Sequence, residues 1–239
     1  MAGSVSVGLP FAPNNPNLTF IFFIALTLLT VLGFRFSYYA YMNRRTRDLG
    51  TQHRLWDYLV LSGLLAVAFA VFGLVELLTI YVLPFKMAFL LAHVFVLAVT
   101  LRELYRSVVP ADDTERERRL TRAAVGGVAT VFVGLALFGR NGVLLGLLGV
   151  STVAFALSGF VYGRRGTAEA RVQGTVVDTL LRHLLPVLLF GAMVPTMDLA
   201  VLVGLDRVVV LHIQVIFVIM TATTLMTATI KLRQNLAGL

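Results

Sequence analysis

The segment LWDYLVLSGLLAVAFAVFGLVELLTI, from Leu55 to Ile80, decides the fold class. The eighteen residues that separate Asp57 from Glu76 carry no charge. A helix needs about 20 mainly apolar residues, at a rise of about 1.5 Å each, to cross the apolar core of a bilayer. A helix that is apolar on every side belongs in a membrane or in the core of a large protein. The segment therefore predicts a transmembrane helix.

The same pattern recurs along the whole chain of 239 residues. Hydrophobic residues make up 58% of the sequence and charged residues 13%, and the mean hydropathy is +0.88; a soluble domain has about 25% charged residues. We predict an all-α integral membrane protein with a short tail (1–17), one seven-helix transmembrane domain (18–232) and a second short tail (233–239). The predicted spans are 18–42, 55–80, 83–105, 122–139, 142–163, 175–203 and 207–231.

Basic residues are distributed unevenly between the two sides of this bundle. Of the 20 Lys and Arg residues, fifteen fall after the first, third, fifth and seventh spans. Three lie on the opposite side (Lys86, Arg140 and Arg207), and Arg35 and Arg182 lie within spans. Since cytoplasmic loops are enriched in Lys and Arg, the N-terminus is predicted outside and the C-terminus in the cytoplasm. We expect a lipid bilayer, that of the plasma membrane, as the partner of this basic chain, and no nucleic acid.

Four ionisable residues are predicted to share one depth near the outer surface. Glu76, Asp198 and His212 lie about 9 Å below the outer ends of their helices, and His93 lies about 12–15 Å below. Ionisable side chains in hydrocarbon are costly and mark candidate sites. Two interpretations are open. Together with Lys86 these residues converge to form a proton relay, a cation site or an ion-pair network, or each of them separately snorkels or bonds to a neighbouring helix.

A second group of polar residues is predicted near the inner surface. Arg35 lies about two turns from the basic loop, where Asp57 and Asp178 are its candidate ion-pair partners. Pro186 frees the carbonyl of Arg182, so the sixth helix is the one expected to kink, although packing alone also tolerates such prolines. The inner-side switch candidates are Arg35, Asp57, Asp178, Arg182, His183 and Pro186.

The fourth and fifth spans contain many small residues and no carboxylate or histidine. Two glycine pairs at four-residue spacing, Gly142 with Gly146 and Gly159 with Gly163, allow helix backbones to approach closely. Two interpretations are open. The glycines either pack these two helices together as one hairpin or form the surface of a homo-oligomer.

The predicted architecture resembles that of microbial rhodopsins and of the seven-helix sensory modules of bacterial and archaeal signalling proteins. The shared features are seven helices, an outside N-terminus, short loops and a tight turn at Arg140-Asn141. Microbial rhodopsins hold retinal on a lysine near the middle of the seventh helix. Here that depth is occupied by residues 217–220, Phe-Val-Ile-Met, while Lys86 and Lys231 lie at helix ends. We therefore expect no covalently bound retinal.

The sequence excludes several kinds of chemistry. It has no cysteine, hence no thiolate ligand or nucleophile. It contains neither the metalloprotease motif His-Glu-x-x-His nor the hydrolase motif Gly-x-Ser-x-Gly. Its four histidines are scattered along the chain, and we predict no cofactor from them. Haem held by His93 and His212, or a bound metal, is not expected.

We expect a non-enzymatic seven-helix sensor or receptor-like protein that signals to a cytoplasmic partner. The alternative is a proton or cation transporter that uses the Glu76, His93, Asp198 and His212 cluster. An intramembrane enzyme or haem protein is the third interpretation.

Overall fold

The computed structural model describes residues 15–46, 53–79, 81–107, 115–139, 141–169 and 176–238. These residues form seven helices, each long and apolar enough to cross a membrane. The prediction of an all-helical, multi-pass membrane protein is thereby confirmed, whereas its orientation and the rhodopsin-like plan stay predictions. The helices are α1 (Pro16–Thr46), α2 (His53–Leu78), α3 (Lys86–Arg106), α4 (Glu115–Phe138), α5 (Gly142–Ala168), α6 (Val176–Leu202) and α7 (Arg207–Leu236).

Three helices extend well beyond the spans predicted from hydropathy. α4 begins at Glu115 rather than at 122, α5 continues to Ala168 rather than 163, and α7 continues to Leu236 rather than 231. Hydropathy detects only the apolar part of a helix, and these additional turns are polar. In α4 the extension carries an ion pair one turn apart, in which Arg119 Nη2 lies 2.6 Å from Glu115 Oε1, an arrangement that supports an exposed helical turn.

Side-chain caps fix where two of the helices begin. The Asn141 side chain accepts a hydrogen bond from the Leu144 amide at 2.9 Å, at the start of α5. The Asp206 carboxylate accepts bonds from the first amides of α7. Such caps satisfy amides that have no partner within the helix. The tight turn predicted at Arg140-Asn141 is thus explained at Asn141, while Arg140 lies outside the described residues.

Consecutive helices run in opposite directions, because the end of each contacts the beginning of the next. We call the end of the bundle with the α2–α3, α4–α5 and α6–α7 connections the Glu76 end, and the other the Arg102 end. The contacts that establish this are Arg44 with Asp57, Glu76 with Lys86, Arg102 with Thr121, Gly134 facing Leu144, Gly166 facing Leu181, and Asp198 with Gln214.

α3 lies at the centre of the bundle. It contacts α2, α4, α5 and α6, while α1 joins α2 to α7 and α6 joins α5 to α7. In its most apolar stretch 67% of the α3 residues are buried, against 11% for α4. Within the described part of the chain, α4 packs only along short lengths of α3 and α5. α4 is therefore a peripheral helix, most of whose surface is free for lipid.

The glycines of α5 face mainly α6, so the interpretation of an α4–α5 hairpin packed by small residues holds only at Gly134, where an added Cβ would lie 2.8 Å from Leu144. A Cβ on Gly163 would lie 2.6 Å from Leu185, and one on Gly166 would lie 2.6 Å from Leu181. Gly126 and Gly127 of α4 have nothing within 4 Å of such a Cβ. The close approach that glycines permit is thus used between α5 and α6. A homo-oligomer through α4 and α5 stays a prediction.

The orientation of the bundle is testable with single cysteines in this cysteine-free chain. The basic-residue distribution predicts that the Arg102 end lies in the cytoplasm. In intact cells, an impermeant thiol reagent is expected to leave Arg118→Cys unlabelled until the membrane is permeabilised. Val203→Cys, at the opposite end and 81% exposed, is the matched control and should be labelled without permeabilisation. The reverse pattern would show that the predicted orientation is wrong.

Candidate functional site

A buried ion pair joins α2 and α3 at the Glu76 end. Lys86 Nζ lies 2.5 Å from Glu76 Oε2, and the two side chains are 2% and 5% exposed. Glu76 stands in the last turn of α2 and Lys86 is the first residue of α3, so the short connection between them brings both charges together. Removing two ions from water is costly, and a pair at this distance offsets the cost only while both partners remain.

A second polar pair joins α6 and α7 at the same level. Gln214 Nε2 donates to Asp198 Oδ1 at 3.1 Å and to the Val194 carbonyl at 2.9 Å. Asp198 is 4% exposed and Gln214 is 3% exposed. The amide therefore ties the carboxylate to the backbone of α6 one turn earlier, and it fixes the position of α7 against α6.

The two pairs line one cavity of about 40 Å³. Arg207, exposed at the start of α7, also lines it, and the rest of its wall is apolar. Because a water molecule requires roughly 10–15 Å³ of such space, the cavity has room for about three waters or a small ion. Glu76 and Asp198, which the sequence placed at one depth, thus line the same cavity, together with Lys86 from the start of α3.

His93 occupies a different place, deeper in the bundle. It lies seven residues beyond Lys86 on α3, a rise of about 10 Å, and it is fully buried. Its Nδ1 lies 2.8 Å from the Ser62 carbonyl and 3.1 Å from Ser62 Oγ. A carbonyl only accepts, so Nδ1 carries the proton and Nε2 is an acceptor. Among the described residues Nε2 has no hydrogen-bond partner, and it faces the α6 backbone at Gly191.

The inclusion of His212 in the cluster is wrong. His212 is exposed on the surface of α7, where its Nδ1 lies 2.7 Å from the Val208 carbonyl. Residues two apart on a helix point about 200° apart, so His212 faces outward because Gln214 faces the cavity. His212 and His93 are therefore not placed to ligate one haem.

The inner-side candidates do not form one site. Arg44 Nη1 lies 2.7 Å from Asp57, and both side chains are nearly half exposed. Arg182 Nε lies 2.6 Å from Asp178 on the same helix. Both carboxylates therefore pair with an arginine other than Arg35, which is exposed and forms no ion pair with any described residue. The expected pairing of Arg35 with Asp57 or Asp178 is wrong.

α6 remains one continuous helix through its prolines. Pro186 and Pro195 both lie inside Val176–Leu202. His183 Nδ1 lies 2.6 Å from the Thr179 carbonyl on its own helix. Each proline removes one backbone hydrogen bond, so the hydrogen-bond ladder of α6 is weaker at these two positions.

Sequence reasoning missed the uncharged polar residues that connect helices. It considered ionisable groups, whereas Gln214, Ser62 and Asn43 make interhelical bonds. Asn43 is fully buried, donates to the Leu232 carbonyl at 3.0 Å and accepts from Asn235 at 2.7 Å, which joins α1 to α7. A search for amides within the predicted apolar spans would have found Gln214, since buried polar groups require partners, whereas Asn43 lies one residue beyond the predicted end of the first span.

Comparison of the chain with protein families, with curated proteins and with solved structures finds no match. Within the described ranges, no three His, Asp or Glu side chains are grouped so that they could hold a metal ion. The charged cavity and the helices that form it are therefore the features that point to a function.

Proposed function

We propose that the protein is a non-enzymatic seven-helix sensor or receptor-like protein of the plasma membrane, with the charged cavity as its input site. The supporting observation is that four helices contribute polar groups to a single small cavity: Glu76 from α2, Lys86 from α3, Asp198 from α6, and Arg207 and Gln214 from α7. A change of charge at this point acts on all four helices at once.

The size of the cavity favours a small input. A volume of about 40 Å³ suits a proton, water or a monatomic ion rather than an organic ligand, because drug-sized pockets measure about 300–1,000 Å³. Lys86 already supplies the positive charge beside Glu76, so a cation that enters has to displace its ammonium group. Protonation of Glu76 would leave Lys86 without its counter-charge, and a cation that takes the place of the ammonium group would leave the displaced Lys86 without Glu76 as its counter-charge.

Such a mismatch is large enough to shift a conformational equilibrium. Breaking a buried pair costs about 3–5 kcal/mol in soluble proteins, and about 5.5 kcal/mol changes a two-state population from 1:99 to 99:1. The two energies are of the same order. An input of one charge therefore suffices for a response without further ligand contacts.

α6 is the element that would carry the response. It holds Asp198 at the Glu76 end and the Asp178 and Arg182 pair at the Arg102 end. Pro186 and Pro195 weaken its backbone ladder between these points. Movement of α6 would alter the Arg102 end, where a cytoplasmic signalling partner would bind under the predicted orientation.

The experiment measures whether the cavity is coupled to the far end of α6. Spin labels are attached to Arg182→Cys on α6 and Arg45→Cys on α1, both exposed, and the distance between them is measured in lipid nanodiscs. Asp198→Asn is expected to shift this distance by about 1–2 Å, the size of helix shifts in signalling proteins. His212→Ala, a change on the lipid surface of α7, is the matched control. An unchanged distance in Asp198→Asn would contradict the sensor proposal.

A proton or cation transporter is the second candidate, supported by the two carboxylates and by His93 Nε2 beneath them, which has no hydrogen-bond partner in the described part of the chain. This function requires a path of about 10 Å from Lys86 to His93 through apolar packing. In proteoliposomes, a transporter would show proton, sodium or potassium flux that Asp198→Asn abolishes. Flux without coupling to the Arg182 label would favour transport, and coupling without flux would favour the sensor.

A further inference from the structure

A second cavity lies between α3, α4 and α5 at the Arg102 end of the bundle. Its volume is about 340 Å³, which is within the range of ligand sites. It is lined by aromatic and small side chains, among them Phe95, Phe155 and Ala124. Arg102 is the charged residue among the described residues that line it, and it forms an ion pair with Glu103 at 3.0 Å.

The arginine at this cavity has unused hydrogen-bonding capacity. Arg102 Nη1 donates to Thr121 Oγ1 at 2.9 Å and Nη2 donates to Glu103 Oε1 at 3.0 Å. The buried Nε has no hydrogen-bond partner among the described residues. This Nε is closed off from solvent, but a guanidinium has five donor hydrogens and the two bonds above use two of them. Because the Arg102 side chain is 19% exposed, donors remain for a ligand in the cavity. Arginine binds phosphate oxygens especially well.

The wall of the cavity changes from polar near the Arg102 end to apolar towards the middle of the bundle, as a phospholipid changes from its headgroup to its acyl chains. Arg102 lies four residues before the end of α3, about 6 Å along the helix, and Phe95 lies about 10 Å deeper. The wall is charged at the level of lipid headgroups and aromatic at the level of acyl chains. The outer wall is α4, which packs loosely, so the cavity can be entered from the bilayer.

We propose that this cavity binds one anionic phospholipid, with an acyl chain between Phe95 and Phe155 and the phosphate on Arg102. Basic pockets between transmembrane helices are suited to such headgroups. A zwitterionic lipid has the same acyl chains, but the positive charge in its headgroup weakens the attraction between the lipid phosphate and the Arg102 guanidinium. The occupant is a lipid rather than free phosphate, since most of the wall is apolar.

The test is lipid binding by native mass spectrometry of the full chain in detergent. Phosphatidylglycerol and phosphatidylcholine with identical chains are added separately. We expect phosphatidylglycerol to be retained in preference, and Arg102→Gln to weaken its binding about tenfold, as the loss of one charge-assisted hydrogen bond implies. Arg165→Gln is the matched control, because Arg165 is exposed at the same end but does not line the cavity. Equal binding of both lipids, or equal loss in the two variants, would overturn the proposal.

A second variant tests the apolar part and does not remove the arginine. Ala124→Trp fills the cavity from α4 and is expected to abolish retention of both lipids. Retention that is unaffected by this change places the lipid elsewhere and overturns the proposal. Two other results would overturn the lipid assignment. Competition by inorganic phosphate at millimolar concentration would identify a phosphate site. A dimer mass that Ala124→Trp abolishes would identify a second copy of the chain as the occupant.

Discussion

Lys86→Met is expected to lower the free energy of unfolding by about 3–5 kcal/mol, the cost of removing one partner from a buried ion pair. The substitution keeps the length and apolar stem of the side chain and removes only the ammonium group. Glu76, which is 4% exposed, then lacks the charge that lies 2.5 Å away. The measurement is thermal and denaturant unfolding in detergent, followed by circular dichroism.

Two controls separate this effect from a general sensitivity to lost charge. Arg44→Met breaks the Arg44–Asp57 pair, whose side chains are 42% and 46% exposed, and should cost no more than about 1 kcal/mol. The double variant Glu76→Gln with Lys86→Met removes both charges and should recover much of the loss, since a neutral replacement of a buried pair is often tolerated. Similar losses in Lys86→Met and Arg44→Met would contradict the buried pair.

The number of helices and the shared level of Glu76 and Asp198 could be predicted from the sequence, but the separate place of His93 and the faces of the helices could not. In a soluble bundle a polar outer face reveals which side is buried. In a membrane both the lipid-facing and the packed faces are apolar, as Phe20, 61% exposed, and Phe22, 3% exposed, illustrate on α1. His212 and Gln214 stand at almost the same depth, and the sequence contains no signal for which of them faces inward.

Contacts between neighbouring helices were also easier to predict than contacts across the bundle. Lys86 was expected near Glu76, because only a short connection separates them. The bonds from Asn43 to Leu232 and Asn235 join residues almost the length of the chain apart. Nothing in local spacing indicates that α1 and α7 are adjacent. The glycine spacing of α5 likewise predicted a close helix contact but not that α6 is the partner.

Gly159→Ala is expected to destabilise the bundle by about 1–3 kcal/mol, the usual cost of overpacking. Gly159 lies where α5 crosses both α3 and α6. An added Cβ would lie 2.6 Å from Leu188 Cδ2 and 2.9 Å from Ala98 Cα. The leucine can move, but the Ala98 contact is with the backbone of the central helix, so α5 and α3 have to separate. The measurement is the midpoint of thermal unfolding in detergent.

Gly126→Ala on α4 is the matched control, since an added Cβ there has nothing within 4 Å. Alanine favours the helix over glycine by up to about 1 kcal/mol, so this variant should be unchanged or slightly more stable. The two substitutions are chemically identical and are expected to have opposite signs because one glycine is packed against backbone and the other is not. A loss in Gly126→Ala equal to that in Gly159→Ala would show that α4 is packed against a partner, and an unchanged Gly159→Ala would contradict the close approach of α3 and α5.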